Sequence, residues 1–211
     1  MHHEFSIPLR GGGEAQVRPV LPTDKMALET GFSLLSEDSK YHRFLAPIKS
    51  LNSRQLTYFT EVDQVNHVAW GVGIPKDGEL LGIAIGRYVR LPDEPTVAEF
   101  ALTVIDNFQG QGLGTFLMAL LYRLAQRQGD IQTLRGVIGN DNHRMLKWMA
   151  QLEAHIYSTA DGTTHADLNI VPDIPNLPDN KAAYRFGRIL ELIKEGEAQY
   201  EAESHNSSEP T

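Results

Sequence analysis

From Gly112 to Gln128 the apolar residues Leu113, Phe116, Leu117, Leu120, Leu121 and Leu124 recur at steps of three and four, and Gly129-Asp130 ends the run. This spacing predicts an amphipathic helix. A second stripe, Ala182, Phe186, Ile189, Leu190 and Ile193, lies in "KAAYRFGRILELIKEGEAQYEAE" after the proline-rich stretch "VPDIPNLPDN". Such a helix needs a surface to cover. It can fold back on its own domain or bury the stripe against a second copy as a homodimer, and the pattern leaves both open.

Shorter alternations mark strands. "AQVRPVLPTD" alternates and stops at Pro22, with Thr23 or Asp24 placed to cap a helix over roughly 24 to 35. Two short helices follow, one in "SEDSKYHRFLAPIK" before the break at Pro47 and one in "NSRQLTYF", capped at Asn52 or Ser53. "VNHVAWGVGI" and "LLGIAIGRYVRL" around "PKDGE" predict an antiparallel hairpin. In the next strand, "TVAEFALTVI", Val97, Glu99, Ala101, Thr103 and Ile105 share one face, which places a single carboxylate on it. "TLRGVIG" reads as a strand, "NDNHRMLKWMAQLEA" as a helix and "HIYSTADGTTHADLNI" as a hairpin turning at Asp161-Gly162.

Composition narrows the classes. A chain of 211 residues suits one well-filled domain with an appendage. The formal charge of -8 argues against nucleic acid, whose affinity comes largely from Lys and Arg displacing counterions. No cysteine means no disulfide, thiol nucleophile or thiolate metal site, and a reducing cytoplasm is the expected home. No window approaches the ~20 apolar residues of a membrane span. The eight histidines form no HExxH and no helical i,i+4 pair, and no G-x-S-x-G occurs, so neither a metal nor a serine hydrolase is indicated. The polar end "EAESHNSSEPT" reads as a disordered tail.

Between the strand and the long helix stands "IDNFQGQGLGTFL", with three glycines in five positions. A dinucleotide fingerprint fails on its last glycine, which is Thr115 or Leu117 depending on the start. A P-loop fails because no Lys follows any of these glycines. What remains is Gln109-x-x-Gly112-x-Gly114 at a helix start, where free amides and the helix dipole favour an anion. A corner that binds nothing is the plain alternative.

The stretch "AEFALTVIDNFQGQGLGTFLM" resembles the acyl-CoA site of GNAT N-acetyltransferases, whose motif is Gln/Arg-x-x-Gly-x-Gly/Ala, and the element order matches that fold across about residues 14 to 171. The resemblance implies an α/β (α+β) GNAT acyl-CoA N-acyltransferase fold, a mixed, mostly antiparallel sheet flanked by helices. It implies acetyl-CoA as co-substrate, with no metal. The CoA pyrophosphate would lie on Gln109, Gly110, Gln111, Gly112, Leu113, Gly114 and Thr115, and the pantetheine arm on the backbone of Leu102, Thr103 and Val104, where this strand splays from the next. Asn142 stands where relatives often contact the cofactor, and also where a plain helix cap would stand. The motif's third position is often Arg or Lys and here is Gln111, so Arg123, Arg144 or Lys147 would have to supply a cation.

Acetyl transfer needs a neutral amine, and a lysine-like amine with pKa ~10.4 is unprotonated in about one molecule in 2,500 at pH 7. Glu99 occupies the place of the family's catalytic Glu and is the expected general base, its pKa raised by burial. The plain role for it is a sheet-face carboxylate paired with Arg87 or Arg90. A backbone N–H near Leu102 or Thr103 would hold the developing oxyanion. Where relatives carry a Tyr acid this chain has Met149, with Tyr157 the nearest substitute. "LSEDSKYHRFL" is similar, through Ser36, Ser39, Tyr41, Arg43 and Phe44, to bacterial modules that acetylate protein lysines. Packing of Tyr41 and Phe44 and an Arg43 ion pair would explain the same residues. Three functions follow: an acetyltransferase acting on a protein lysine, the same chemistry on a small amine or amino acid, or a non-catalytic acyl-CoA sensor. The expected division is a catalytic domain over 14–171, linker and helix over 172–203, and tail over 204–211.

Overall fold

A computed structural model describes residues 4–171 and 177–206, with side chains through 197. The strands are β1 (Phe5–Pro8), β2 (Glu14–Pro19), β3 (His67–Lys76), β4 (Glu79–Arg90), β5 (Val97–Val104), β6 (Thr133–Gly139), β7 (His155–Ser158) and β8 (Thr163–Asn169). The helices are α1 (Lys25–Ser33), α2 (Glu37–Phe44), α3 (Ser53–Thr60), α4 (Leu113–Gln128), α5 (His143–Gln151) and α6 (Lys181–Asn206). All eight strands form one sheet in the order β1-β2-β3-β4-β5-β6-β8-β7. Among the described residues only the β5–β6 pairing is parallel. This is the mixed, mostly antiparallel sheet flanked by helices that the resemblance implies.

The alternation along β4 and β5 separates two layers. Arg87, Ala101 and Thr103 face a cavity beneath α1, α2 and α3. Gly86 and Leu102 lie on the opposite face against Leu117 of α4, so close that a Cβ on Gly86 would stand 3.2 Å from both side chains. The apolar stripe of α4 is accordingly buried, Leu113, Phe116, Leu117, Leu120 and Leu121 among it. Burial of that stripe is the main reason the helix forms where it does.

The C-terminal stripe resolves in favour of its own domain. Ala183, Phe186, Leu190 and Ile193 of α6 are buried, and the Phe186 ring stands edge-on to Tyr122 of α4 with centroids 5.5 Å apart. Arg123 of α4 donates to Glu197 of α6 at 2.7 Å. Asn180 caps α6 by accepting from the N–H groups of Ala182 and Ala183, and its Nδ2 donates to the Gln151 carbonyl at the end of α5. Two boundaries differ from the expected ones: the sheet already begins with β1 at Phe5, and α6 continues to Asn206. Residues 172–176 of the expected linker and 207–211 of the expected tail lie outside the described residues. Among the described residues no helix is long and apolar enough to cross a membrane.

Candidate active site

Strands β5 and β6 pair only from Val97↔Thr133 to Phe100↔Gly136 and then part. Gly136 permits the last contact, because a Cβ there would fall 2.8 Å from the Phe100 ring. Leu102, Thr103 and Val104 therefore stay paired to β4 on one side while the other side opens into a gap. The gap leads to the glycine turn. Gly110 and Gly112 hold φ of 74° and 97°, a left-handed region that costs a residue with a Cβ, and Gly112 stands at the start of α4. Among the described residues, the backbone N–H groups of Gly110 to Thr115 donate to no protein acceptor. Unpaired amides at a helix start form a site for an anion.

The turn is braced from its edges. Gln109 donates through Nε2 to the Val104 carbonyl at 3.2 Å and to Ser39 Oγ at 3.1 Å. Asp106 accepts from the Ser36 N–H and hydroxyl and from the Ser39 hydroxyl, at 2.9, 2.7 and 2.9 Å, and these bonds hold its carboxyl below the usual range despite some desolvation. The serines of "LSEDSKYHRFL" thus dock the start of α2 onto the turn. Gln111 donates to the Asn107 carbonyl at 3.4 Å.

Two cations approach this turn. Arg144 reaches Gln109 Oε1 at 3.4 Å. Arg10, at the bend between β1 and β2, donates to the Gly110 carbonyl at 3.5 Å and stands 3.9 Å from where a Cβ of Gly112 would be. Arg123, another expected cation, is instead paired with Glu197. Arg10 escaped the sequence reading because no motif or periodicity connects residue 10 with residue 110. Asn142 accepts from the Met145 N–H at 3.1 Å and caps α5, which is the plain role expected for it.

Glu99 projects from the face of β5 that looks toward α1–α3 but is exposed, so the expected burial is absent. Among the described residues it makes no ion pair: Arg90 holds Asp130 at 2.8 Å, and Arg87 donates to His67 Nε2 at 3.0 Å and to the Phe59 carbonyl at 3.2 Å. Arg43 lies near enough for the Glu99 charge to favour its cationic form. Tyr157 lies on the edge strand β7, with β6 and β8 between it and β5, bonded to Asp167 at 3.4 Å and far from Glu99. Met149 is fully buried in the core. No group of three or more His, Asp or Glu among the described residues could hold a metal ion.

The model of the acetyltransferase (GNAT) family matches residues 33–153. Acetyltransferase Pat of Mycolicibacterium smegmatis is 32% identical over 166 residues, 79% of this chain and 49% of that protein. Acetyltransferase PA5475 of Pseudomonas aeruginosa is 31% identical over 121 residues, 57% of this chain and 64% of that protein. The chain thus spans about half to just under two thirds of the length of these curated relatives. The solved GNAT domain of S. lividans PAT superimposes with a TM-score of 0.70 at 29% identity, covering 79% of this chain and 96% of that one.

Proposed function

Since the chain belongs to the GNAT family of acetyltransferases, we propose that it transfers an acetyl group from acetyl-CoA to a primary amine, with Glu99 as the general base. The observation that carries this reading is the gap beside Leu102–Val104, which opens onto the free amides of Gly110–Thr115. A diphosphate suits those amides, and an extended amide-bearing arm suits the unpaired side of β5. Arg10 and Arg144 stand in for the cation that Gln111 does not supply.

The chemistry then follows from β5. Glu99 takes a proton from the incoming ammonium, and the amine nitrogen bonds to the thioester carbon. A backbone N–H near Leu102 or Thr103 stabilises charge developing on the carbonyl oxygen. The carbon–sulfur bond breaks, and the departing thiolate takes up the proton that the newly bonded, cationic nitrogen sheds; with a thiol pKa of ~8.5 no strong acid is needed. That suits a site in which Tyr157 is remote.

The likeness of "LSEDSKYHRFL" supports a protein lysine as acceptor, although Ser36 and Ser39 have structural duties that explain them equally well. Thiol release from acetyl-CoA against a panel of lysine peptides, small amines and amino acids tests the transfer. Glu99→Gln is expected to bind acetyl-CoA normally and to lose at least about 100-fold in turnover. Undiminished turnover in that variant removes Glu99 as the base.

A further inference from the structure

Arg43 and Arg87 both face one cavity of about 110 Å³, whose walls include Leu28, Phe32, Phe44 and Ile83. Arg87 is 5% exposed. Its guanidinium lies 4.6 Å from the centre of the Phe59 ring and donates to His67 and the Phe59 carbonyl, both uncharged acceptors. Arg43 stacks on Phe44 and Phe59 at 4.8 and 5.8 Å and, among the described residues, donates no hydrogen bond. Burial and the neighbouring Arg43 charge hold Arg87 down at about 9.

Two like charges, Arg87 buried and Arg43 half-buried, set against an apolar wall are costly unless an anion completes them. The Glu99 charge favours the cationic form of Arg43, but among the described residues no carboxylate forms an ion pair with Arg43 or Arg87. Asp24, also on the wall, is already held by Arg18 at 2.8 Å. The cavity has room for about three to four waters' worth of ligand, a short carbon chain and not a peptide. Ala101 and Thr103 of β5 form part of its wall, so it adjoins the strand along which the thioester would lie.

We propose that this cavity binds the carboxylate end of a small substrate, with the carboxylate on Arg43 and Arg87 and its carbon chain against the apolar wall. The proposal rests on the transfer reading above and names its substrate class. The carboxylate can belong to the acceptor, a free amino acid whose amine then lies toward Glu99, or to the acyl group of a dicarboxylic acyl-CoA entering past Thr103. In either case the step is the same exchange of a carbon–sulfur for a carbon–nitrogen bond.

Two matched comparisons separate the sources. With acetyl-CoA, L-leucine is compared with 3-methylbutylamine, the same skeleton without its carboxylate. With 3-methylbutylamine as acceptor, succinyl-CoA is compared with butyryl-CoA. The carboxylate member of at least one pair is expected to have a tenfold or higher kcat/KM, and Arg43→Gln is expected to bring that ratio toward one. A preference for L-leucine assigns the site to the acceptor, and a preference for succinyl-CoA assigns it to the acyl group. Ratios near one or below in both pairs overturn the proposal, whether or not the variant folds. If no combination releases CoA, the transfer reading fails as well only when the lysine peptides also release none. The cavity is then judged by thermal unfolding: a rise in Tm with L-leucine or succinate in the unmodified protein supports the site, and no rise with either overturns it.

Discussion

Arg10 approaches from the far end of the chain a turn whose own third motif position is an amide, Gln111. An exposed guanidinium beside a phosphate contributes on the order of 1 kcal/mol, so Arg10→Ala is expected to raise the KM for acetyl-CoA about threefold to fivefold, chiefly at low salt. An unchanged KM at low ionic strength would detach Arg10 from the cofactor. At this scale, side-chain placement was legible in the sequence and surroundings were not. Alternation put Glu99 on one face of β5 with Ala101 and Thr103, but its exposure depends on what packs over that face, and no local rule fixes that. The sequence offers an acid partner for Arg43 and for Arg87 as a plain alternative. The structure gives them aromatic rings, a neutral imidazole and a carbonyl instead.

Among the elements, α2 illustrates how one carboxylate positions a helix. Asp106, just past β5, collects both hydroxyls and one N–H from Ser36 and Ser39, and Ser39 also receives Gln109. Asp106→Ala is expected to lower stability by about 1 kcal/mol and to weaken acetyl-CoA binding as well, because the turn loses its brace. Urea unfolding together with acetyl-CoA titration checks both, and a loss of stability without weaker binding would uncouple α2 from the turn. The strongly periodic α4 was readable because helix and burial share one period. β1 was not, since four residues ending in Pro8 carry too little alternation to announce a strand, and its place depends on pairing with β2. The stripe of α6 showed that a partner exists but not which one, because an apolar stripe looks the same to α4 and to another molecule.

For the molecule as a whole, acid tolerance turns on the imidazole beneath α3. Burial first, then the Arg87 charge, hold His67 down at about 4, against the opposing pull of Asp63. The unfolded chain binds that proton below pH 6.5 and the folded one only near 4, so the contribution of His67 to stability is intact above 6.5 and declines as pH falls toward 4. Urea midpoints between pH 7 and 4.5 are expected to fall in the unmodified protein and to flatten in His67→Gln; parallel curves would contradict this. Lowered carboxyls such as Asp106 act below about pH 4, outside that window. The parting of β5 from β6 also has a consequence for the free protein. Sheets normally bear exposed edges only at their two margins, where unpaired N–H and C=O groups invite other strands. Here the sheet carries an edge in its interior, beyond Phe100. On the proposed binding mode, a ligand arm lying along Leu102–Val104 would complete that edge as a guest strand would, and the co-substrate would shield an interior edge from unwanted pairing.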